Sequence, residues 1–295
     1  MNVKTRPIER VKDLSAREFF ERFAAVDRPV VIANGARAWP AVSRWNPEYL
    51  ARRIGTVRTE FKRSSCHQHP DFHESTLARM FARETMSFSE FFDAITTGPL
   101  EERSRRLFTG DEHFVLRRRE GKTTVDAALA PLLEDVEIPP LVPPERLYTV
   151  WAWFSAAGVR TWLHYDNNGC HNLNAQISGQ KECLLFSPEE LERLYPFPPG
   201  GTNPAHNCCA VDIDLPNFAT HPRFAETTAE HAVIEAGDLL FIPAWWLHTF
   251  SHLGAFNSNI NFWWKPERER DNLVSRWQAS LDAELGTRHA AESVT

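Results

Sequence analysis

Two segments in the second half of the chain carry side chains that could share a metal ion. Thr161-Trp162-Leu163-His164-Tyr165-Asp166 supplies an imidazole and a carboxylate. Gly237-Asp238-Leu239-Leu240-Phe241-Ile242-Pro243-Ala244-Trp245-Trp246-Leu247-His248 ends on a second imidazole. Two imidazoles and one carboxylate bind one face of an octahedral ion and leave the opposite face open, the ligand set of non-haem Fe(II) sites that activate O2. His164, Asp166 and His248 are therefore the expected metal ligands and catalytic centre.

The elements that must position them follow from the spacing. Residues two apart on a strand share a face, so His164 and Asp166 can reach one ion. His248 has to arrive from elsewhere in the fold. It follows a short apolar strand, Leu239 to Ile242, that begins at a Gly-Asp turn and ends at Pro243. The tripeptide alone says little. With 12 histidines and a background of roughly 6% Asp, about 0.7 His-x-Asp matches arise by chance. A buried strand running into Pro, two Trp and a His is far rarer.

A facial iron site needs a two-electron reductant, and 2-oxoglutarate is the usual one. Its distal carboxylate requires a cation. Lys181 follows the turn Ser178-Gly179-Gln180 and alternates with Cys183 and Leu185 on one strand face. A lysine on an apolar face must find an anion or reach water. On alternation alone, an edge lysine that snorkels remains the other reading.

Thr161 to Phe186, together with the His248 segment and Asn261-Phe262-Trp263, resembles the JmjC-type, cupin-fold 2-oxoglutarate oxygenases, and within them the branch of the asparaginyl hydroxylase that inhibits hypoxia-inducible factor. Leu194-Tyr195-Pro196-Phe197-Pro198 is similar to the same branch. The resemblance covers roughly residues 145–265. It implies a mainly β fold with flanking helices, a double-stranded β-helix or jelly-roll barrel. It places His164, Asp166 and His248 on Fe(II), Thr161 and Lys181 on the distal carboxylate of 2-oxoglutarate, and Asn172 and Asn261 beside cosubstrate and metal, with O2 as co-reactant. The chain departs from that branch in two places. It is longer around Gly169-Cys170, near the metal mouth. Trp151, Trp153 and Phe154 stand on the strand before Thr161, where smaller or hydroxylated residues are expected. The tyrosine that often joins the lysine therefore has no clear position, and Tyr148 is a guess.

The rest of the 295 residues sets limits. Ten Trp and 20 Phe against four Tyr imply a deep aromatic core. A net charge of −6 argues against nucleic acid, and Arg103 to Arg106 and Arg117 to Arg119 read as solvated surface. No apolar run is long enough to span a bilayer, and Met1 to Arg10 is polar. Five irregularly spaced cysteines fit a reducing, cytoplasmic setting. Helices are expected at 12–26 (Ser15 cap), 47–54 and 87–95, and strands at 29–32 and 57–62. Five prolines in 131–145 mark a linker or wrapping segment between an N-terminal α+β region (1–145) and the catalytic core (146–265).

Residues 266–295 contain a helix, Glu267 to Leu285, whose stripe of Leu273, Val274, Trp277, Leu281 and Leu285 must be buried, on its own barrel or in a homodimer. The homodimer is the favoured expectation. Cys66, His67, His69 and His73 lack a standard zinc spacing and read as a loop. His206 to Cys209 reads as an exposed polar loop, His171 as a non-ligand, and Trp245 and Trp246 as packing around the His248 turn. The expected substrate is a protein or peptide side chain. A free amino acid or other small metabolite comes second, then N-demethylation, then a scaffold without turnover.

Overall fold

The computed structural model describes residues 3–63, 82–104, 106–108, 114–166, 168–197, 206–268, 275–277 and 279. Eight strands precede residue 130: β1 (Lys4–Pro7), β2 (Arg10–Val11), β3 (Val30–Ile32), β4 (Arg58–Arg63), β5 (Arg83–Ser87), β6 (Arg106–Phe108), β7 (Leu116–Arg119) and β8 (Lys122–Val125). Eight follow: β9 (Leu147–Ala156), β10 (His164–Tyr165), β11 (His171–Ser178), β12 (Gln180–Phe186), β13 (Thr228–Glu235), β14 (Leu239–Ile242), β15 (Leu247–His252) and β16 (Phe256–Trp264).

They form two sheets. The smaller runs β1-β13-β12-β15-β10, and the larger runs β2-β3-β14-β11-β16-β9-β6-β4-β5, with β7 also on β9 and β8 on β7. This is the mainly β jelly roll expected from the sequence. The strands of residues 4–32 pair with β13 and β14, so the N-terminal part is hydrogen-bonded into both sheets.

Strand β14 shows how the pattern builds the barrel. Leu240 and Ile242 join Cys183, Leu185, Ile234 and Phe250 between the sheets. Leu239 and Phe241 point the other way, into the cluster under the N-terminal helices. Both faces are covered, which is why the strand is apolar throughout. It starts where Gly237 turns at φ +97°. The Asp238 carboxylate holds that turn, accepting the N–H of Asn34 at 3.0 Å and of Glu235 at 3.1 Å and an Arg10 guanidinium at 2.7 Å.

Each of the three expected helices begins at a side-chain cap, the first at Ala16 rather than at 12. Ser15 and Glu18 form a reciprocal box ahead of Ala16–Arg22, Asn46 caps Pro47–Ile54, and Ser87 with Glu90 caps Phe88–Thr96. Their apolar faces pack Phe19, Leu50, Phe88 and Phe92 on the outer side of the large sheet. The proline-rich stretch wraps rather than spaces. Its buried Asp135 accepts hydrogen bonds from Trp45 Nε1 (3.1 Å), Tyr49 Oη (2.6 Å) and Arg44 (2.8 Å). A third cluster covers the small sheet, with Tyr165, Phe186, Leu247 and Phe224, and Trp277 packs against it. The centre of the expected terminal stripe thus rests on its own barrel. The rest of that stripe, and the cluster at Cys66 to His73, lie outside the described residues. Among the described residues no helix is long and apolar enough to cross a membrane.

Candidate metal centre

His164 and His248 are brought together by strand pairing. β10 is antiparallel to β15, and the two histidines are direct cross-strand partners. Their ring centroids lie 4.3 Å apart. Asp166 closes the triangle, so that one ligand atom from each of His164, Asp166 and His248 lies within 4.8 Å of the others.

Hydrogen bonds aim the three groups. His164 Nδ1 meets the carbonyl of Trp162 at 2.7 Å, and His248 Nδ1 meets that of Trp246 at 3.1 Å. A carbonyl can only accept, so each Nδ1 carries the proton and each Nε2 keeps its lone pair for an ion. Burial, then the neighbouring His248, pushes the His164 pKa down to about 4, so the ring is neutral at pH 7. Asp166 Oδ2 accepts from Trp263 Nε1 at 2.9 Å and Asn172 Nδ2 at 3.1 Å. Its Oδ1 faces His248 Nε2 at 4.0 Å. Two lone-pair nitrogens and a carboxylate oxygen converge within 4.8 Å of one another, which fits a divalent metal.

The second expected element, Lys181, is 3% exposed. Burial pushes its pKa down to about 7. Its ammonium donates to Asn259 Oδ1, Asn259 Nδ2 donates to Asn261 Oδ1, Asn261 Nδ2 to Asn172 Oδ1 (2.9 Å), and Asn172 Nδ2 to Asp166. Every amide in this row turns its oxygen toward the lysine and its nitrogen toward the carboxylate. The two charged ends therefore fix the orientation of all three amides. No carboxylate of the described residues neutralises Lys181. An anion lying between Lys181 and the triad would meet that need.

The other sequence-predicted residues fall as follows. Asn172 on β11 and Asn261 on β16 are members of the row and diagonal neighbours, Asn172 standing opposite Trp263 and Asn261 opposite Asn174. Thr161 is anchored to β15, its hydroxyl accepting the N–H of Phe250 at 2.8 Å. The ring of Phe250 lies 5.4 Å from Lys181 Nζ. Tyr148 does not join Lys181. Opposite Asn259 on β9 stands Trp153, five residues or about 17 Å along an extended strand from Tyr148, which instead packs on Lys265 at 5.6 Å.

His171 turns to the outer side of the sheet, between Phe241 and Trp264. The 206–209 stretch is not an exposed loop. Cys208 and Cys209 are buried, Cys208 bridges to His164, and the backbone N–H of Tyr165 donates to Asn207. Gly169 (φ +61°) lies flat against Trp245, where a Cβ would approach that ring to 2.9 Å. The added residues therefore pack on the His248 turn.

Sequence reasoning gave no role to Asn259 or Trp263. The signal for the first was present in the period-two spacing of Asn257, Asn259 and Asn261 on one strand face.

The cupin-like domain family matches residues 16–270. The chain belongs to the cupin-like domain family. Its cupin-like relatives include tRNA wybutosine-synthesizing protein 5 of Gallus gallus, 29% identical over 273 residues that cover 90% of this chain and 80% of the relative. The protein of that name from Homo sapiens is 28% identical over 265 residues (88% and 78%). Lysine-specific demethylase 8 of Xenopus tropicalis is 28% identical over 264 residues, covering 85% of this chain and 51% of the relative. This cupin-like chain thus spans most of the first two relatives and about half of the demethylase. The relatives are named for enzymatic work, and each match extends over the metal triad.

Proposed function

We propose that this protein is an Fe(II)- and 2-oxoglutarate-dependent oxygenase that hydroxylates an unactivated C–H bond on a protein or peptide side chain. One observation carries the reading. A three-ligand site and a buried lysine without a neutralising carboxylate are joined by one continuous row of amides.

His164, Asp166 and His248 would hold Fe(II), and Lys181 with Thr161 would hold the far carboxylate of 2-oxoglutarate. Bound together with O2, they supply the oxidising power that turns C–H into C–OH while 2-oxoglutarate becomes succinate and CO2. The chain's part is orientation and dryness. Asn172 and Trp263 hold Asp166 turned so that one oxygen faces the ion. Lys181 gives a charge-assisted bond in a site shielded from water, where it is strongest. Phe250 and Leu185 line the interior beside it and exclude solvent.

The test is an anaerobic titration with Fe(II) and 2-oxoglutarate. The reading expects the weak visible charge-transfer band of the chelate, and its absence at saturating reagents overturns it. The peptide substrate rests on the resemblance to the asparaginyl hydroxylase branch. A second reading, a modified nucleoside in tRNA, is favoured by the coverage of 80% of the Gallus gallus relative. The acidic net charge opposes it. Mass spectrometry for one added oxygen, run on peptide, metabolite and tRNA pools, separates these. The homodimer belongs to the same proposal, and light scattering of the purified chain tests it, a monomer refuting it.

A further inference from the structure

Behind the metal site, on the outer side of the same strands, lies a second cavity of about 220 Å³. His171 forms its base, Phe20 and Trp264 its walls, and Arg146, Lys265 and Arg268 its rim, with Glu267 the acidic side chain among them.

His171 is 3% exposed. Its Nδ1 accepts the N–H of Ala244 at 3.1 Å, so the ring proton sits on Nε2. His171 lines the cavity, and an N–H there can donate to a ligand. Arg146 lies no closer than 3.9 Å to Glu267 and 4.0 Å to Glu145, beyond hydrogen-bonding distance. Among the lining residues three cations stand with one carboxylate, Glu267, and Glu145 lies beside Arg146 outside the lining. A donor at the base, aromatic walls and a cationic mouth are complementary to an anion with an apolar body.

Strand alternation ties this cavity to the metal. His171 precedes Asn172 on β11, and Trp264 follows Trp263 on β16. Asn172 and Trp263 are the two donors that hold Asp166. Lys265 donates to the carbonyl of Asn168 at 2.6 Å and so holds the loop that follows Asp166. Three cavity residues are thus chain neighbours, or direct anchors, of what orients one metal ligand.

We propose that this cavity is a regulatory site for a small arylalkyl carboxylate, whose occupancy braces His171 and Trp264 and so tightens metal binding at Asp166. The coupling is reciprocal, so metal must tighten the anion by the same factor. The anion site stands apart from the oxygenase reading, since binding is also measured without metal, whereas its regulatory role rests on the proposed metal site.

The experiment is calorimetric titration of phenylacetate into the full chain saturated with 2-oxoglutarate, anaerobically, with and without Fe(II), repeated with neutral phenylacetamide. Expected are a Kd below about 1 mM and binding about tenfold or more weaker for the amide. The Arg146→Gln/Arg268→Gln double variant loses about tenfold in phenylacetate affinity. Ala24 also lines the cavity, so Ala24→Leu fills it and abolishes binding, and Fe(II) affinity rises several-fold when phenylacetate is present. No binding, equal binding of acid and amide, or full affinity in the arginine variant overturns the site. Binding that leaves Fe(II) affinity unchanged overturns its regulatory role. The arginines are surface residues, so that variant folds even if Ala24→Leu does not.

Discussion

Inside the barrel, β16 and β9 are neighbours in one sheet, yet their inward faces are opposites. β16 presents Asn259 and Asn261, almost fully buried, with Asn172 beside them on β11. β9 presents Trp151 and Trp153, half-buried, directly across from Asn261 and Asn259. The amides that join Lys181 to Asp166 are each paired on both sides. The indole N–H groups of Trp151 and Trp153 are buried without partners. A paired buried row is worth more than its separate bonds and holds one geometry, whereas an unpaired donor only subtracts from stability. Trp151 also stacks against Trp263, centroids 4.8 Å apart, which is one ring away from Asp166. The polar row fixes the ends of the candidate site, and the aromatic wall stands beside it.

Substitutions can break this contrast. The largest effect is expected from Asp166→Ala or His164→Ala, which should abolish Fe(II) binding and turnover, because two remaining ligands no longer define a face. His248→Ala should behave alike. Full turnover in any of the three would remove the metal end of the row, and iron titration reads this directly.

Lys181→Met keeps the stem and deletes the charge. Affinity for 2-oxoglutarate should fall by about 2–3 kcal/mol, roughly 30- to 150-fold, with Fe(II) binding nearly unchanged. The wild-type pH profile sharpens the point. A lysine held near pKa 7 when folded and near 10.4 when unfolded binds fewer protons in the folded state between those values. Its contribution to stability therefore rises with pH across that window. Below about 7 both states are protonated and the cost of the buried charge is fully present. Cosubstrate affinity should run the other way, declining above about pH 7 as the ammonium is lost. Both trends should vanish in Lys181→Met, and calorimetry at several pH values would show them if they persist.

The comparison itself is tested by two milder changes. Asn261→Leu leaves Asn172 Oδ1 and Asn259 Nδ2 unpaired and should cost about 1–3 kcal/mol of stability. Trp153→Phe removes a donor that has no partner and should alter stability by no more than about 0.5 kcal/mol. If thermal unfolding gave the same loss for both, the row would hold no more structure than the wall.

Much of this was legible in the residues. His164 and Asp166 obey strand alternation, and the run before His248 reads as a strand buried on both faces. The helices expected at 47–54 and 87–95 fall within a residue of Pro47–Ile54 and Phe88–Thr96, whereas the one expected at 12–26 is shorter, starting after Ser15 and running Ala16–Arg22. What the sequence hid depends on contacts between distant strands. Asn259 lies 78 positions from Lys181, and only the pairing of β11 with β16 and the closure of the two sheets brings them together. Cys208 and Cys209 sit in a stretch whose polar, proline-rich surroundings look like a loop, and burial against His164 is visible only after folding. Tyr148 is only a guess from the sequence, and the register of β9 on β16 sets Trp153, not Tyr148, opposite Asn259.

Both metal imidazoles lean on a carbonyl two residues earlier in their own segments, at Trp162 and Trp246. Every residue type carries that oxygen. The tautomer of each ligand is thus written into the main chain, and no side chain has to be kept for it. Positions 162 and 246 can change identity without unsettling the protons of the centre, so packing there can drift while the chemistry stays put.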